Sequence, residues 1–154
     1  MKVIIVGGVA GGASAAARLR RLNEKAQITI FERSGFVSYA NCGLPYYLSG
    51  IIEDQADLTV QTPDTLKQRF NINVKTEHEV TKIDRDNKTV TVHDLRNDIV
   101  FTENYDKLLL APGAAPVIPS IPGLPSIAET NLSHAMQQAK ANYAKLNSSN
   151  IYIL

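Results

Sequence analysis

The chain has 154 residues, 44% of them hydrophobic and 20% charged, with a net charge of +1. That suffices for one domain with a real core in an ordinary soluble composition, and it offers no charge excess to attract nucleic acid or an anionic membrane. No apolar run could span a bilayer, the stretch Val3 to Val6 is too short for a signal peptide, and a single cysteine excludes an internal disulfide framework and suits a reducing cytosol.

Val3-Ile4-Ile5-Val6 is an unbroken β-branched run, the pattern of a strand covered on both faces of a parallel sheet. Glycines follow at 7, 8, 11 and 12. Ala13 to Leu22 then reads as a helix whose buried stripe is Ala15, Leu19 and Leu22, spaced i, i+4, i+7. Ile28 to Phe31 reads as a second buried strand ending at Glu32, which completes a βαβ unit of about thirty residues. Phe36 to Gly50 is a loop running into a helix near Leu44 to Ser49. Asp64 to Phe70 reads as a short helix, with Thr62 before Pro63 as its N-cap. Strands are expected at Ile72 to Lys75 and at His78 to Asp84. Thr89 to His93 and Ile99 to Thr102 alternate around the polar turn Leu95 to Asp98, a β-hairpin pattern. Leu108 to Leu110 reads as a buried strand stopped by Ala111-Pro112-Gly113. A stiff connection with Pro116, Pro119, Pro122 and Pro125 follows, then a helix over Ser133 to Leu146 and an apolar strand opening at Ile151 to Leu154. The class implied is α/β: a Rossmann-like, three-layer domain with a parallel sheet, helices and a small antiparallel β-meander.

A strand-to-helix turn suits a pyrophosphate because the first helical N–H groups are free and the dipole is positive there. Glycines allow the tight turn and let a phosphate approach without a Cβ in the way. Anchored at Gly7, the GxGxxG template finds Gly7 and Gly12, with Val9 in the middle slot. The context strengthens this imperfect match. A strand precedes, a helix follows, and Glu32 lies twenty residues beyond Gly12 at the tip of the second strand. A carboxylate there can accept both ribose hydroxyl hydrogens and would repel a 2′-phosphate. The competing explanation is a tight turn beside a solvated glutamate; against it stands the entropic cost of four glycines in six residues without a ligand.

Ser38-Tyr39-Ala40-Asn41-Cys42-Gly43-Leu44-Pro45 places the lone cysteine just ahead of a helix, with Pro45 in its first turn. A helix N-terminus favours a thiolate, and a polar loop is an unusual place for a packing cysteine. Position alone leaves two fates open, a reactive thiol and an inert buried one.

Gly7 to Gly12, Glu32, the Ser38 to Gly50 segment and Leu108 to Pro116 together resemble the single-cysteine branch of the pyridine nucleotide-disulfide oxidoreductases. That branch holds coenzyme A disulfide reductases, NADH oxidases and peroxidases, and CoA persulfide reductases. The segment Asn41-Cys42-Gly43-Leu44-Pro45-Tyr46-Tyr47 looks most like the coenzyme A disulfide reductases. The resemblance implies an N-terminal FAD-binding portion in which Gly7, Gly8, Val9, Ala10, Gly11, Gly12, Glu32, Arg33, Val80, Ala111, Pro112 and Gly113 meet the cofactor. It also accounts for Val9, since members replace the middle glycine. NAD(P)H is the implied electron donor and Cys42 the implied redox-active residue. Without a partner cysteine, Cys42 would cycle through a mixed disulfide with a small thiol or through a sulfenic acid.

Ser14, Arg18 and Arg21 are spaced i, i+4, i+7 and share one helix face, which would otherwise be an ordinary solvated basic surface. The resemblance implies that they contact coenzyme A, with Ser38 and Asn41 near its thiol end. Peroxidase-like members carry a histidine where Ala10 stands, so Ala10 and the arginines favour CoA disulfide as substrate. His78, His93 and His134 lack metal-ligand spacing, and no metal site is expected. The resemblance further implies an FAD-binding segment over 1–148, the first strand of an NAD(P)-binding domain at 149–154 in a truncated chain, and a cytoplasmic homodimer for the complete protein. Two other functions compete: an NADH oxidase or peroxidase on the same scaffold, and a non-catalytic nucleotide-binding module.

Overall fold

The computed structural model describes residues 1–114; the proline-rich connection, the helix expected from 133 to 146, His134 and the division expected at 148–149 lie outside the described residues. The described chain divides into two compact units, one of Met1–Ala40 with Thr59–Gly113, the other containing Asn41–Leu58.

The first unit opens with β1 (Lys2–Val6), α1 (Gly11–Leu22) and β2 (Gln27–Glu32). A four-stranded parallel sheet runs in the order β3-β2-β1-β7, where β3 is Asn73–Thr76 and β7 is Lys107–Leu110. Its side chains alternate faces, as the period of two requires. Val3, Ile5, Ile28 and Ile30 point to one face, where Ala16 of α1 and Leu66 of α3 (Pro63–Phe70) cover them. Ile4 and Phe31 point to the other face and meet Val90 and Val92. Those two valines belong to β5 (Thr89–Asp94), the middle strand of an antiparallel meander with β4 (His78–Asp84) and β6 (Ile99–Asn104). Helices, parallel sheet and meander therefore make three layers, as expected. Ile4, Ile5, Ile30 and Phe31 are fully buried, each worth about 1.5–3 kcal/mol.

The local punctuation is as read from the sequence. Thr62 caps α3: its hydroxyl accepts the Thr65 N–H at 3.1 Å, and Thr65 Oγ1 accepts the Thr62 N–H at 2.9 Å, with Pro63 in the first turn. His78–Asp84 and the hairpin pairing Asp94 with Ile99 also stand as read.

Two expectations fail. The buried stripe of α1 is Gly12, Ala13, Ala16 and Arg20, not Ala15, Leu19 and Leu22. Leu22 is 66% exposed, and Leu19 only borders the core. Small residues win that face because the helix lies close on the sheet. Arg20 is tolerated there because its guanidinium donates to four carbonyls: Phe70 at 2.8 Å, Asn71 at 2.9 Å, Asn23 at 3.3 Å and Glu24. It thereby satisfies orphan carbonyls at the ends of two helices. The second correction concerns β7, expected to be buried. It is the edge strand of the described sheet, and Leu110 is 56% exposed.

Candidate functional site

All four strands of the sheet are parallel, so their carboxyl ends lie along one edge. The order reverses between β1 and β7, the point where open α/β sheets bind ligands. Gly7 follows β1, Glu32 ends β2 and Ala111 follows β7, so three of the sequence-predicted segments share that edge.

Each glycine of the loop has a separate physical reason. Gly7 adopts φ +89°, and a Cβ there would stand 2.1 Å from the Ala111 carbonyl oxygen. A Cβ on Gly12 would stand 1.8 Å from the Gly7 carbonyl oxygen, and one on Gly8 2.8 Å from a Val37 methyl. Gly7 and Gly12 are required by the backbone packed against them, and Gly8 by the side chains of Val37 and Ile30. Their entropic cost is therefore offset within the fold, and it is not the argument for a ligand that the sequence suggested. Gly11 differs: among the described residues its Cβ would meet only the Ala111 Cβ, at 3.6 Å. Ala10, the N-cap of α1, offers no side-chain acceptor, and both Ala10 and Gly11 are exposed. Among the described residues the helix mouth is open, uncapped and free of first-turn acids, which suits an anion.

Glu32 is not a solvated glutamate. It is 8% exposed, and its Oε2 accepts the Gly8 N–H at 2.7 Å. Oε1 accepts both the N–H and the hydroxyl of Ser34, each at 2.8 Å. The carboxylate is thus held at the loop in one orientation, with one lone-pair site, on Oε2, left for a further donor. Sequence reasoning missed Ser34, Val37 and the backbone part of Ser38. The Ser38 N–H donates to the Gly8 carbonyl at 2.9 Å, and the Ser38 carbonyl accepts the Val60 N–H at 2.9 Å. Only the polar character of the loop hinted at these.

The Ala111 N–H donates to the Val6 carbonyl at 2.8 Å, and Gly113 has φ +74°. Ala111 and Gly7 are thus in backbone contact, which unites the two predicted cofactor turns. Arg33 is largely exposed and pairs with Glu79 at 3.6 Å. Val80 adjoins a bulge in the β4–β5 pairing and packs against the meander-side core. Ser14, Arg18 and Arg21 are all exposed, so the shared polar face of α1 is real.

Cys42 belongs to the second unit. It lies in a 3₁₀ turn, Asn41–Gly43, that leads into α2 (Leu44–Leu48), with Pro45 in the first turn of that helix. Both Asn41 and Cys42 are exposed, which removes the inert buried thiol. The helix is only five residues long, and its end folds locally: the Ser49 N–H donates to Pro45, and the Ile51 N–H to Tyr46.

His78 donates from Nδ1 to the Thr76 carbonyl at 2.7 Å and stacks on Phe31, with Asp94 3.7 Å from its Nε2. His93 pairs with Asp98 at 2.7 Å. Both histidines serve the meander. Among the described residues no three His, Cys, Asp or Glu side chains gather as they would around a metal.

The family model for pyridine nucleotide-disulphide oxidoreductases matches residues 1–154. The coenzyme A disulfide reductase of Staphylococcus haemolyticus is 47% identical over 113 residues, covering 73% of this chain and 26% of its own. The crystal structure of reduced Bacillus anthracis CoADR-RHD superposes with a TM-score of 0.83 at 42% identity, over 95% of this chain and 27% of that one. The water-forming NADH oxidase from Lactobacillus brevis bound to NADH gives 0.79 at 38% identity, over 94% and 32%. The chain spans about a quarter of the length of the curated relatives it matches. No described helix is long and apolar enough to cross a membrane.

Proposed function

The chain belongs to the pyridine nucleotide-disulphide oxidoreductase family, whose members work with FAD and NAD(P)H, and from that premise we propose an NAD(P)H-dependent reductase of coenzyme A disulfide or CoA persulfide acting through Cys42. The observation that carries the flavin half is the union of the Gly7–Gly12 loop, Glu32 and the Ala111–Gly113 turn at the switch point of the sheet. These residues fit the nucleotide end of FAD. The open mouth at Ala10 and Gly11 would take the diphosphate on backbone N–H groups, and Glu32 Oε2 would accept from a ribose hydroxyl. Val9, Pro112 and Gly113 would line the same edge, with Arg33 and Val80 towards the adenine end.

Bound FAD would supply two electrons taken from NAD(P)H, enough to break the S–S bond of a mixed disulfide on Cys42, restore the thiolate and release the second CoA as its thiolate. The chain's own contribution is the sulfur. The exposed Cys42 thiolate attacks one sulfur of coenzyme A disulfide, the S–S bond breaks, and one CoA thiolate leaves and takes up a proton. Cys42 then carries the other half as a mixed disulfide. Asn41 and Ser38 would lie towards the thiol end of coenzyme A, and Ser14, Arg18 and Arg21 would meet its phosphates. The choice of CoA rests on the 47% identity to the Staphylococcus reductase. A cytoplasmic homodimer is the assembly that goes with this reading, with 1–148 as its FAD-binding segment.

The likeness to the Lactobacillus oxidase favours a second reading, in which Cys42 cycles as a sulfenic acid and the acceptor is oxygen or peroxide. One assay separates the two: NAD(P)H oxidation by the full-length protein with coenzyme A disulfide or with peroxide as sole acceptor. Turnover on the disulfide, lost in Cys42→Ser, is the expected result. Turnover on peroxide alone would move the assignment to the second reading, and disulfide turnover untouched by Cys42→Ser would end both.

A further inference from the structure

Ser38 holds a left-handed backbone at φ +50°. The other non-glycine residues with positive φ among the described residues are Asn71, Glu77, Lys88 and Asp98. Asn71 ends α3, and the rest sit in the turns that join β3 to β4, β4 to β5 and β5 to β6. Ser38 alone closes no helix or hairpin, and such strain persists only where the surroundings enforce it. Four contacts do so. The Ser38 N–H is tied to the Gly8 carbonyl, and its carbonyl to the Val60 N–H. Its neighbour Val37 is 1% exposed and fills the space over Gly8. One residue further, Tyr39 pairs with Thr59 in an isolated antiparallel bridge. The chain leaves the first unit after Ala40 and returns at Thr59, so these bonds hold both roots of the excursion that bears Cys42.

We infer that Ser38 is a positioning residue, and that the site uses its left-handed backbone, which clamps the glycine loop to the roots of the cysteine-bearing excursion, rather than its hydroxyl. The inference deepens the proposed function and rests on its flavin reading. It differs from a role for the side chain in one checkable way. A hydroxyl role tolerates threonine and fails with glycine, whereas a backbone role tolerates glycine and fails with threonine, whose branched Cβ disfavours positive φ.

The test uses the full-length protein and the variants Ser38→Gly, Ser38→Ala and Ser38→Thr. Two readouts are taken: FAD retained after desalting, from its visible absorbance, and the alkylation rate of Cys42 by iodoacetamide in the FAD-loaded form. Retention should fall in the order Gly, Ala, Thr, with Ser38→Thr about fivefold or more below Ser38→Gly. The alkylation rate of Ser38→Thr should depart furthest from that of the parent. The glycine variant is free of backbone strain and remains decisive even if threonine folds poorly. Equal or reversed orders in either readout overturn the inference. Failure of the unsubstituted protein to hold FAD overturns the flavin reading instead.

Discussion

Residues 7–12 are held by partners far away in the chain, whereas the backbone of residues 49–52 bonds back to the turn just before it. The Gly7 N–H is bonded to the Phe31 carbonyl, the Gly8 N–H to Glu32, the Gly8 carbonyl to Ser38, and the Val6 carbonyl to Ala111. In the excursion, the described backbone bonds of Ser49, Gly50, Ile51 and Ile52 all return to Pro45, Tyr46 or Tyr47. A loop pinned by long-range packing is rigid and intolerant of added atoms. A locally folded segment with exposed side chains can change its chemistry without disturbing the core. The proposed labour is divided the same way: the rigid part would hold the cofactor, and the local part would carry the sulfur.

The sharpest way to break this contrast is at the sulfur. Cys42→Ser should lower disulfide reduction by the full-length protein on the order of a thousandfold while moving its stability by less than about 0.5 kcal/mol. A large loss of stability in urea titrations would show that the excursion is structural after all. The rigid part should respond in the opposite sense. Gly12→Ala drives a methyl into the Gly7 carbonyl, and its cost should exceed about 3 kcal/mol in the same titrations. Gly11→Ala meets ordinary contact only and should cost less than about 1 kcal/mol, while its methyl at the helix mouth weakens FAD retention. Equal costs for the two glycines would contradict the geometry of the loop.

Glu32→Ala comes next. It leaves the Gly8 and Ser34 N–H groups without their acceptor and should cost about 2–3 kcal/mol, measured by denaturant midpoint. The smallest effect lies away from both regions, in the meander turns. The Asn97 side-chain amide and backbone N–H hold the Asp94 carboxyl below its usual value, and Asn87 does the same for Asp84. A lowered carboxylate stabilises the fold above its ordinary pKa and loses that contribution as pH falls through the lowered one. Asn97→Ala should therefore destabilise the protein at neutral pH and flatten the loss of stability just below pH 3.8. An unchanged acid profile in Asn97→Ala would show that the turn contributes nothing to it.

What was legible in the sequence follows one rule. Features whose causes lie within a few residues could be read directly. The Thr62–Pro63 start of α3 is a local hydrogen-bond pattern, and the hairpin around Leu95 to Asp98 is a local alternation with a turn. The βαβ unit and the GxGxxG-like loop with Glu32 were legible for the same reason, as was the solvent face of Ser14, Arg18 and Arg21.

What only the tertiary structure decided involves partners distant in sequence. Close approach of α1 to the sheet selected Gly12, Ala13 and Ala16 over the larger Leu19 and Leu22, and gave Arg20 carbonyls to cap. Gly7 is required by Ala111 and Gly8 by Val37, so the meaning of each glycine was set by a residue the motif does not contain. The burial of Glu32 and the left-handed turn at Ser38 have the same origin. Periodicity and turn chemistry act over one or two turns of chain, whereas steric exclusion acts wherever the fold brings two backbones together.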